Sequence, residues 1–260
     1  MCGVFGIRSS ERDVARLAYF GLFALQHRGQ EAAGIAVSDR GRLTAVRDMG
    51  LVAQVFDEEK LQALPGEVAI GHTRYSTTGA NAWANAQPLV HHGAARTVAL
   101  AHNGNLTNTA ELRDALAADG IALGATSDTE AIAALIAHDS SPLPQAVAHA
   151  MARLEGAYSI VALADGKLIG FRDPHGIRPL AIGRLVDENG AEDWVLASET
   201  CALDLIGARF EREVRPGELV VIDEDGLHAT QAIPEGRQAL CIFEHVYFAR
   251  PDSTLAGSEV

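Results

Sequence analysis

The sequence predicts an α+β protein built on antiparallel sheet, and three observations carry that prediction. Apolar runs of strand length recur along most of the chain, and several are joined by short turn signals. Helical periodicity is confined to an early segment and the middle. Strand-like runs flank those helices on both sides, which suggests packed layers. Connections this short favour hairpins, because parallel strands need a long crossover between them.

In chain order, the strand candidates are Cys2–Ile7, Gly34–Val37, Leu43–Arg47, Val68–Arg74, Thr97–His102, Tyr158–Ala164, Lys167–Arg172, Trp194–Ser198 and Glu218–Asp223. Turn signals sit at Asp39-Arg40-Gly41, Asp165-Gly166 and Asp225-Gly226. Val14, Leu17, Ala18, Gly21, Leu22 and Leu25 recur at the spacing of one helix face. A second helix, Asn108–Ala118, opens at a candidate N-cap and is stopped by Gly120. Ser127-Asp128-Thr129-Glu130 has the capping-box pattern ahead of Ala131–Ala137, with Pro142 beyond the end. Val90–Arg96 and Asp187–Asp193 read as loops. Phe243–Pro251 is aromatic and apolar, yet no closing element follows, so the chain reads as cut short of something.

Composition excludes several classes. Among 260 residues, 21 Lys+Arg face 34 Asp+Glu, a formal charge of −13. That balance opposes nucleic-acid binding, which needs clustered cations. Hydrophobic residues at 48% and charged residues at 21% describe a globular chain rather than a disordered one. A chain of this length buries roughly 75% of its extended surface, enough for one large core or two modest ones. No window approaches the ~18 apolar residues of a membrane span. Arg8, Glu11, Arg12 and Asp13 interrupt any signal-peptide core. Cys2, Cys201 and Cys241 form no CxxC pair, so neither a disulfide framework nor a zinc site is suggested. A cytoplasmic protein is the expectation.

Four groups of residues have the chemistry of a site. Removal of the initiator Met before a small residue would leave Cys2 first in the mature chain. Its thiol would then lie beside its own α-amine, whose ordinary pKa of ~7.7–8.0 suits a proton acceptor for a thiol near ~8.5. A buried core cysteine at a strand start is the other reading. His102-Asn103-Gly104-Asn105 is a turn sequence or an oxyanion hole, with the Asn103 amide and the Gly104 N–H as donors. Arg74 leaves a strand into the small polar stretch Tyr75-Ser76-Thr77-Thr78-Gly79, where it is an exposed hairpin cation or a clamp for a carboxylate. The stretch up to about Asn85 would then be a lid. Asp128 favours a helix N-terminus for its charge alone, or answers a substrate ammonium. Arg74 and Asp128 together suit a free α-amino acid. His91-His92 point to opposite faces of an extended segment and so make poor joint metal ligands. Cys201 is expected in the core.

Read together, Cys2-Gly3-Val4-Phe5-Gly6-Ile7, Gln26-His27-Arg28-Gly29-Gln30 and His102-Asn103-Gly104-Asn105 resemble the glutaminase domain of the class II glutamine amidotransferases, which are N-terminal-nucleophile (Ntn) hydrolases. Phe171–Leu180, Ala197-Ser198-Glu199-Thr200 and Glu244–Ser253 are similar to signatures of the amidophosphoribosyltransferase branch, and the likeness runs from Cys2 to about Ser253. The resemblance implies a four-layer αββα sandwich of two antiparallel sheets. It implies Cys2 as nucleophile with its freed amine as base, Asn103 and Gly104 as the oxyanion hole, and Arg74 and Asp128 on the α-carboxylate and α-ammonium of L-glutamine. Tyr75 and Arg28 match positions that shape the pocket and respond to loop closure.

The resemblance further implies that residues 2–240 form the glutaminase domain. Residues 241–260 then begin the connection to a phosphoribosyltransferase domain that this sequence lacks. Ammonia would be channelled to that domain, where phosphoribosylpyrophosphate becomes 5-phosphoribosylamine in purine biosynthesis. Leu219–Gly226 mimics the start of that domain's binding signature, but Leu227-His228-Ala229-Thr230 cannot cradle phosphate, so strand and turn are expected there. The glutaminase domain needs no cofactor, the absent domain would use magnesium, and Cys241 matches an iron–sulfur ligand position of some members, a [4Fe-4S] cluster whose other ligands lie in the absent domain. Full-length members form homo-oligomers. A glutaminase domain of another class II member, such as a hexosamine-phosphate or asparagine synthetase, and a catalytically silent assembly domain are the alternatives. The second gains weight only if Met1 stays in place.

Overall fold

In a computed structural model, residues 1–75, 82–187, 190–255 and 257–260 are described. One seven-stranded sheet consists of β1 (Gly3–Arg8), β2 (Ala32–Asp39), β3 (Arg42–Met49), β4 (Val68–Arg74), β9 (Ala181–Val186), β10 (Glu192–Ala197) and β11 (Arg209–Glu213), in the order β11-β9-β10-β1-β4-β2-β3. A six-stranded sheet consists of β5 (Leu89–His92), β6 (Thr97–Leu106), β7 (Gly156–Ala164), β8 (Lys167–Arg172), β12 (Glu218–Asp223) and β13 (Gly226–Gln231), in the order β13-β12-β8-β7-β6-β5. Neighbouring strands in both sheets pair antiparallel. Helices α1 (Val14–Ala24), α2 (Val52–Val55), α3 (Glu58–Gln62) and α7 (Thr200–Ile206) cover the first sheet. Helices α4 (Thr109–Ala118), α5 (Asp128–His138) and α6 (Leu143–Met151) cover the second. The result is the αββα order of layers, two antiparallel sheets face to face between helices.

Strand periodicity decides what lies between the sheets. Val4, Ala36, Ile70, Ala99 and Ala101 belong to the apolar layer between the sheets. Their chain neighbours Phe5, Ile35, Ala69, Val98 and Leu100 pack instead under the helices. Because side chains alternate along a strand, Cys2, His72 and Arg74 share the seam face with Val4 and Ile70, and Asn103 shares it with Ala101. Two of the three expected turns are two-residue hairpins of type I′, and the third, between the paired Asp223 and Gly226, has its left-handed residue at Gly226 instead. Arg40 and Gly41 have φ of 47° and 83°, and Asp165 and Gly166 have 52° and 72°.

Several local expectations are corrected. Val90–Arg96 is not all loop, because Leu89–His92 forms β5 against β6 and buries Leu89 and His91. The Asp187–Asp193 loop is shorter than expected, since β10 starts at Glu192. No capping box forms at Ser127. Its Oγ is buried without a partner among the described residues, and Glu130 accepts from the Gly124 and Ala125 N–H groups instead. Asn108 stands at the N-cap of α4, yet its side chain bonds Arg153 and Glu155. The cap of α1, Asp13, lies one residue before the expected apolar stripe and accepts from Arg16 N at 3.0 Å. Leu219–Gly226 is strand and turn as expected.

The C-terminal segment folds back onto the sandwich. After a short turn, Glu244–Phe248, come two two-residue strands, β14 (Thr254–Leu255) and β15 (Ser258–Glu259). Glu244 is fully buried against Arg28, also fully buried, whose Nη2 donates to it at 2.8 Å. Arg28 Nη1 donates to Glu199, and Arg28 Nε donates to the Cys2 carbonyl at 2.9 Å. Glu199 also accepts from Ser253 Oγ at 2.8 Å and from Arg250 N at 3.1 Å. Burial alone would raise the Glu199 pKa, but His27 and Arg28 outweigh it and hold the carboxyl at about 2, against an ordinary 4.5.

Two outcomes follow from this packing. An added Cβ at Gly21 would lie 2.3 Å from the Phe5 ring. Gly21→Ala should therefore destabilise by about 1–3 kcal/mol despite its better helix propensity, read as a lower thermal midpoint. The Glu199 carboxylate contributes stability above pH 4.5 that is lost as pH falls towards about 2. Arg28→Met should remove about 3–5 kcal/mol, since two buried carboxylates lose their shared counter-charge and keep only His27 and Arg178, and should flatten that acid limb in urea unfolding between pH 5 and 2.

Candidate active site

The register Gly3↔Thr73 between β1 and β4 brings Cys2 to the end of β4, where Arg74 closes the strand. Cys2 Sγ–H donates to the Tyr75 carbonyl at 3.4 Å, and Tyr75 N–H points back at the sulfur from 3.5 Å. Burial pushes the Cys2 thiol up, while the Tyr75 N–H, the terminal amine, Arg74 and Arg28 pull it down; burial prevails and the sulfur stays protonated. The terminal amine, here that of Met1, is held at about 6, mainly by burial and further by Arg28 and Arg178. Met1 is buried and, with Arg178, Cys241, Phe243, Tyr247 and Phe248, lines a cavity of ≈ 370 Å³.

Across the seam, β6 presents Asn103. Its Oδ1 and Nδ2 are both buried, with no hydrogen-bond partner among the described residues. Buried amides are nearly always paired, so this one is poised for something outside the chain. Gly104 has φ of 151°, and a Cβ there would stand 2.0 Å from the Ala157 carbonyl oxygen. Only glycine fits.

The preceding peptide is gripped from both sides. His102 N–H donates to Gln87 Oε1 at 2.8 Å, and the His102 carbonyl accepts from His72 Nε2–H at 3.2 Å. Burial holds His72 down at about 3, so it is neutral.

Asp128 opens α5 on the far side of β6. Its Oδ2 accepts from Leu106 N at 3.0 Å, and its Oδ1 lies 3.4 Å from His102 Nδ1. Burial would raise this carboxyl, yet His102 and the backbone N–H groups of Leu106 and Thr129 hold it below its ordinary value. Arg74 is 3% exposed, with Nη1 3.5 Å from Glu31 Oε2. Beside these residues opens a cavity of ≈ 450 Å³ lined by Arg28, Gly29, Glu31, Tyr75, Tyr247 and Phe248 among others.

The expected site residues thus divide into three groups. Cys2, Tyr75 and Arg28 are joined by direct hydrogen bonds. Arg74 and Asn103 share the seam face, and Asp128 is connected through His102. Arg28, wholly buried, lines that cavity from behind Cys2 and ties the backbone of that residue to Glu199 and Glu244. Of the lid expected up to about Asn85, residues 76–81 lie outside the described residues, while Trp83–Asn85 form a 3-10 turn in which Asn85 Nδ2 donates to Thr126 Oγ1 at 2.9 Å. Glu199 and Glu244 stood inside quoted signatures without a role, and Gln87 and His72 were missed. Nothing local marks those two, because their partners are 15 and 30 residues away.

Cys201 is buried as expected, and burial together with the Glu199 charge pushes its thiol up to about 12, which makes it inert. Cys241 is half-buried, and no group of three or more His, Cys, Asp and Glu side chains suited to a metal occurs among the described residues. One thiolate does not make a cubane site, which takes four, so these residues alone do not fit a cluster. No helix among the described residues is long and apolar enough to cross a membrane.

Comparison with known proteins identifies the family and the fold. A family model described as a glutamine amidotransferase domain matches residues 72–204. Amidophosphoribosyltransferase of Mycobacterium tuberculosis is 51% identical over 270 residues, covering 100% of this chain and 50% of that protein. The amidophosphoribosyltransferase of Synechococcus elongatus is 49% identical over 262 residues, covering 100% and 53% respectively. The chain spans about half the length of the curated relatives it matches. Among solved structures, glutamine phosphoribosylpyrophosphate amidotransferase from B. subtilis, complexed with ADP and GMP, superposes with a TM-score of 0.90 at 40% identity, covering 98% of this chain and 55% of that one. A class II domain protein from Silicibacter pomeroyi, with a TM-score of 0.53 at 18% identity, shares the fold. The family model covers just over half of the sequence, from His72 through Asn103 and Asp128 to Glu199 and α7, and the chain belongs to the glutamine amidotransferase domain family.

Proposed function

We propose that this chain releases ammonia from L-glutamine by acyl transfer to Cys2. The observation that carries the reading is the unpartnered Asn103 amide on the seam face opposite Cys2, beside a glycine that tolerates no side chain. With Met1 removed, the freed amine of Cys2 takes the thiol proton. The sulfur then bonds to the glutamine side-chain carbonyl carbon, whose electron pair moves onto oxygen. Asn103 Nδ2 and Gly104 N–H stabilise that oxyanion. The intermediate collapses as the amine returns its proton to the departing nitrogen, which leaves as ammonia. Water then hydrolyses the γ-glutamyl thioester to glutamate, with the same amine as base. Arg74 holds the α-carboxylate, Asp128 answers the α-ammonium, and Tyr75 and Arg28 keep Cys2 in place.

The complete protein is proposed to channel the ammonia to a magnesium-dependent phosphoribosyltransferase domain, where it displaces pyrophosphate from phosphoribosylpyrophosphate to give 5-phosphoribosylamine. The relatives' name and their twofold length support this. A cytoplasmic homo-oligomer suits such a biosynthetic enzyme. Any iron–sulfur cluster would need its remaining ligands from outside this chain. A second reading, a silent assembly domain, is favoured only by the buried Met1, since a retained Met1 leaves Cys2 without a free amine.

Intact mass before and after a glutamine-like diazoketone separates the two: loss of Met1 with one adduct on Cys2 is expected, and Met1 retained with no adduct would establish the silent domain. Asn103→Leu should lower kcat for glutamine about 10²–10³-fold while KM changes little. Asp128→Asn should raise KM for glutamine far more than it weakens an analogue lacking the α-amine. The base must be neutral, and burial at this end of the chain lowers the Met1 amine below its ordinary value; kcat/KM should therefore fall along an acid limb set by the freed Cys2 amine.

A further inference from the structure

The backbone next to the oxyanion donors has lost its strand partner. In the β5–β6 ladder Leu89 faces Leu100, so continuing the register places residue 87 opposite residue 102. The ladder does not continue. The Gln87 backbone is packed against β2 instead, where a Cβ on Gly34 would be 2.2 Å from the Gln87 carbonyl oxygen. The buried N–H and C=O of His102 are therefore left to side chains, and an unmade bond there would cost about 1–3 kcal/mol.

Gln87 supplies one of them. Its orientation is unambiguous, because His102 N–H must meet the amide oxygen, at 2.8 Å. The Gln87 NH₂ is thereby turned towards Thr129 Oγ1, to which it donates at 2.9 Å. His102 precedes Asn103, and Thr129 follows Asp128. One buried side chain, 6% exposed, thus spans the segment carrying the oxyanion donor and the helix carrying the ammonium acceptor. His72 closes the grip from the other side through the His102 carbonyl.

We propose that Gln87 is a positioning residue of the glutaminase site. Its side chain stands in for the missing strand and sets the spacing between the Asn103 amide and the Asp128 carboxylate. The proposal rests on the reading of Cys2 as a glutaminase nucleophile. It places control of kcat on the His102 bond and control of glutamine affinity on the Thr129 bond.

Three variants in the complete natural protein test it, with ammonia release from glutamine as the readout. Gln87→Met removes both bonds at similar volume and should lower kcat about 10–100-fold, the scale of a misplaced catalytic group, and raise KM. Gln87→Glu should recover most of kcat, since one carboxylate oxygen still accepts from His102 and the Thr129 hydroxyl can rotate to donate to the other. Thr129→Val should raise KM severalfold with kcat within about twofold. The proposal is overturned if Gln87→Met stays within about twofold of the parent, or if Gln87→Glu is impaired as badly as Gln87→Met. Should Gln87→Met fail to fold, Thr129→Val decides, and an unchanged KM overturns the proposal. A folded parent protein that releases no ammonia would instead overturn the glutaminase reading and the brace with it.

Discussion

A single guanidinium, that of Arg28, holds the reactive end of this protein together. It is wholly removed from water, a state tolerable only because both partner carboxylates are equally buried and hydrogen-bonded. The three groups it joins come from the first residues of the chain, from the start of α7 and from the C-terminal segment. Withdrawing either carboxylate leaves the buried guanidinium only half paired, and withdrawing the Cys2 carbonyl leaves its Nε–H without an acceptor. The position of the Cys2 backbone and the docking of residues after 240 are thus one problem with one solution. For the same reason a shortened form ending before Glu244 and Ser253 would expose Arg28 and Glu199 to incomplete pairing.

The second constraint is parity. Two antiparallel sheets packed face to face leave one face of each strand in the seam, and a register of Gly3 against Thr73 puts the sulfur, the cation of Arg74 and the His72 ring on that face. The opposite sheet presents Asn103 by the same alternation. Reactive polar groups therefore arise at the seam's end without any excursion of the backbone, except at Gly104. The apolar layer below them, Val4, Ile70 and Ala101 among others, keeps water out of the seam.

How much of this was legible follows from how far each signal reaches along the chain. Strands and helices with strong periodicity, such as α1 and β6, were readable because their pattern is local. Edge elements were not: β11 is largely exposed and carries no alternation, and α6 begins at Pro142 with Pro144 in its first turn, residues that read as helix breakers. Residue type is what singled out Cys2, Asn103, Gly104, Arg74 and Asp128 as candidates, since each carries its reactive group, charge or backbone freedom in its own side chain or lack of one. The apparent capping box misled, because Glu130 serves the loop before the helix instead of the helix end. Gln87 and Glu244 were illegible in principle: an amide and a carboxylate acquire meaning only from partners brought near by the fold.

The burial that keeps the Cys2 sulfur protonated has a bearing on oxidative damage. Peroxide and most disulfides react with thiolates, and a neutral sulfur enclosed by Tyr75 offers them little. With Met1 in place the buried sulfur is thus withheld from such reagents. Longevity of the thiol and discrimination between reactants are then the same property, and neither needs a dedicated residue.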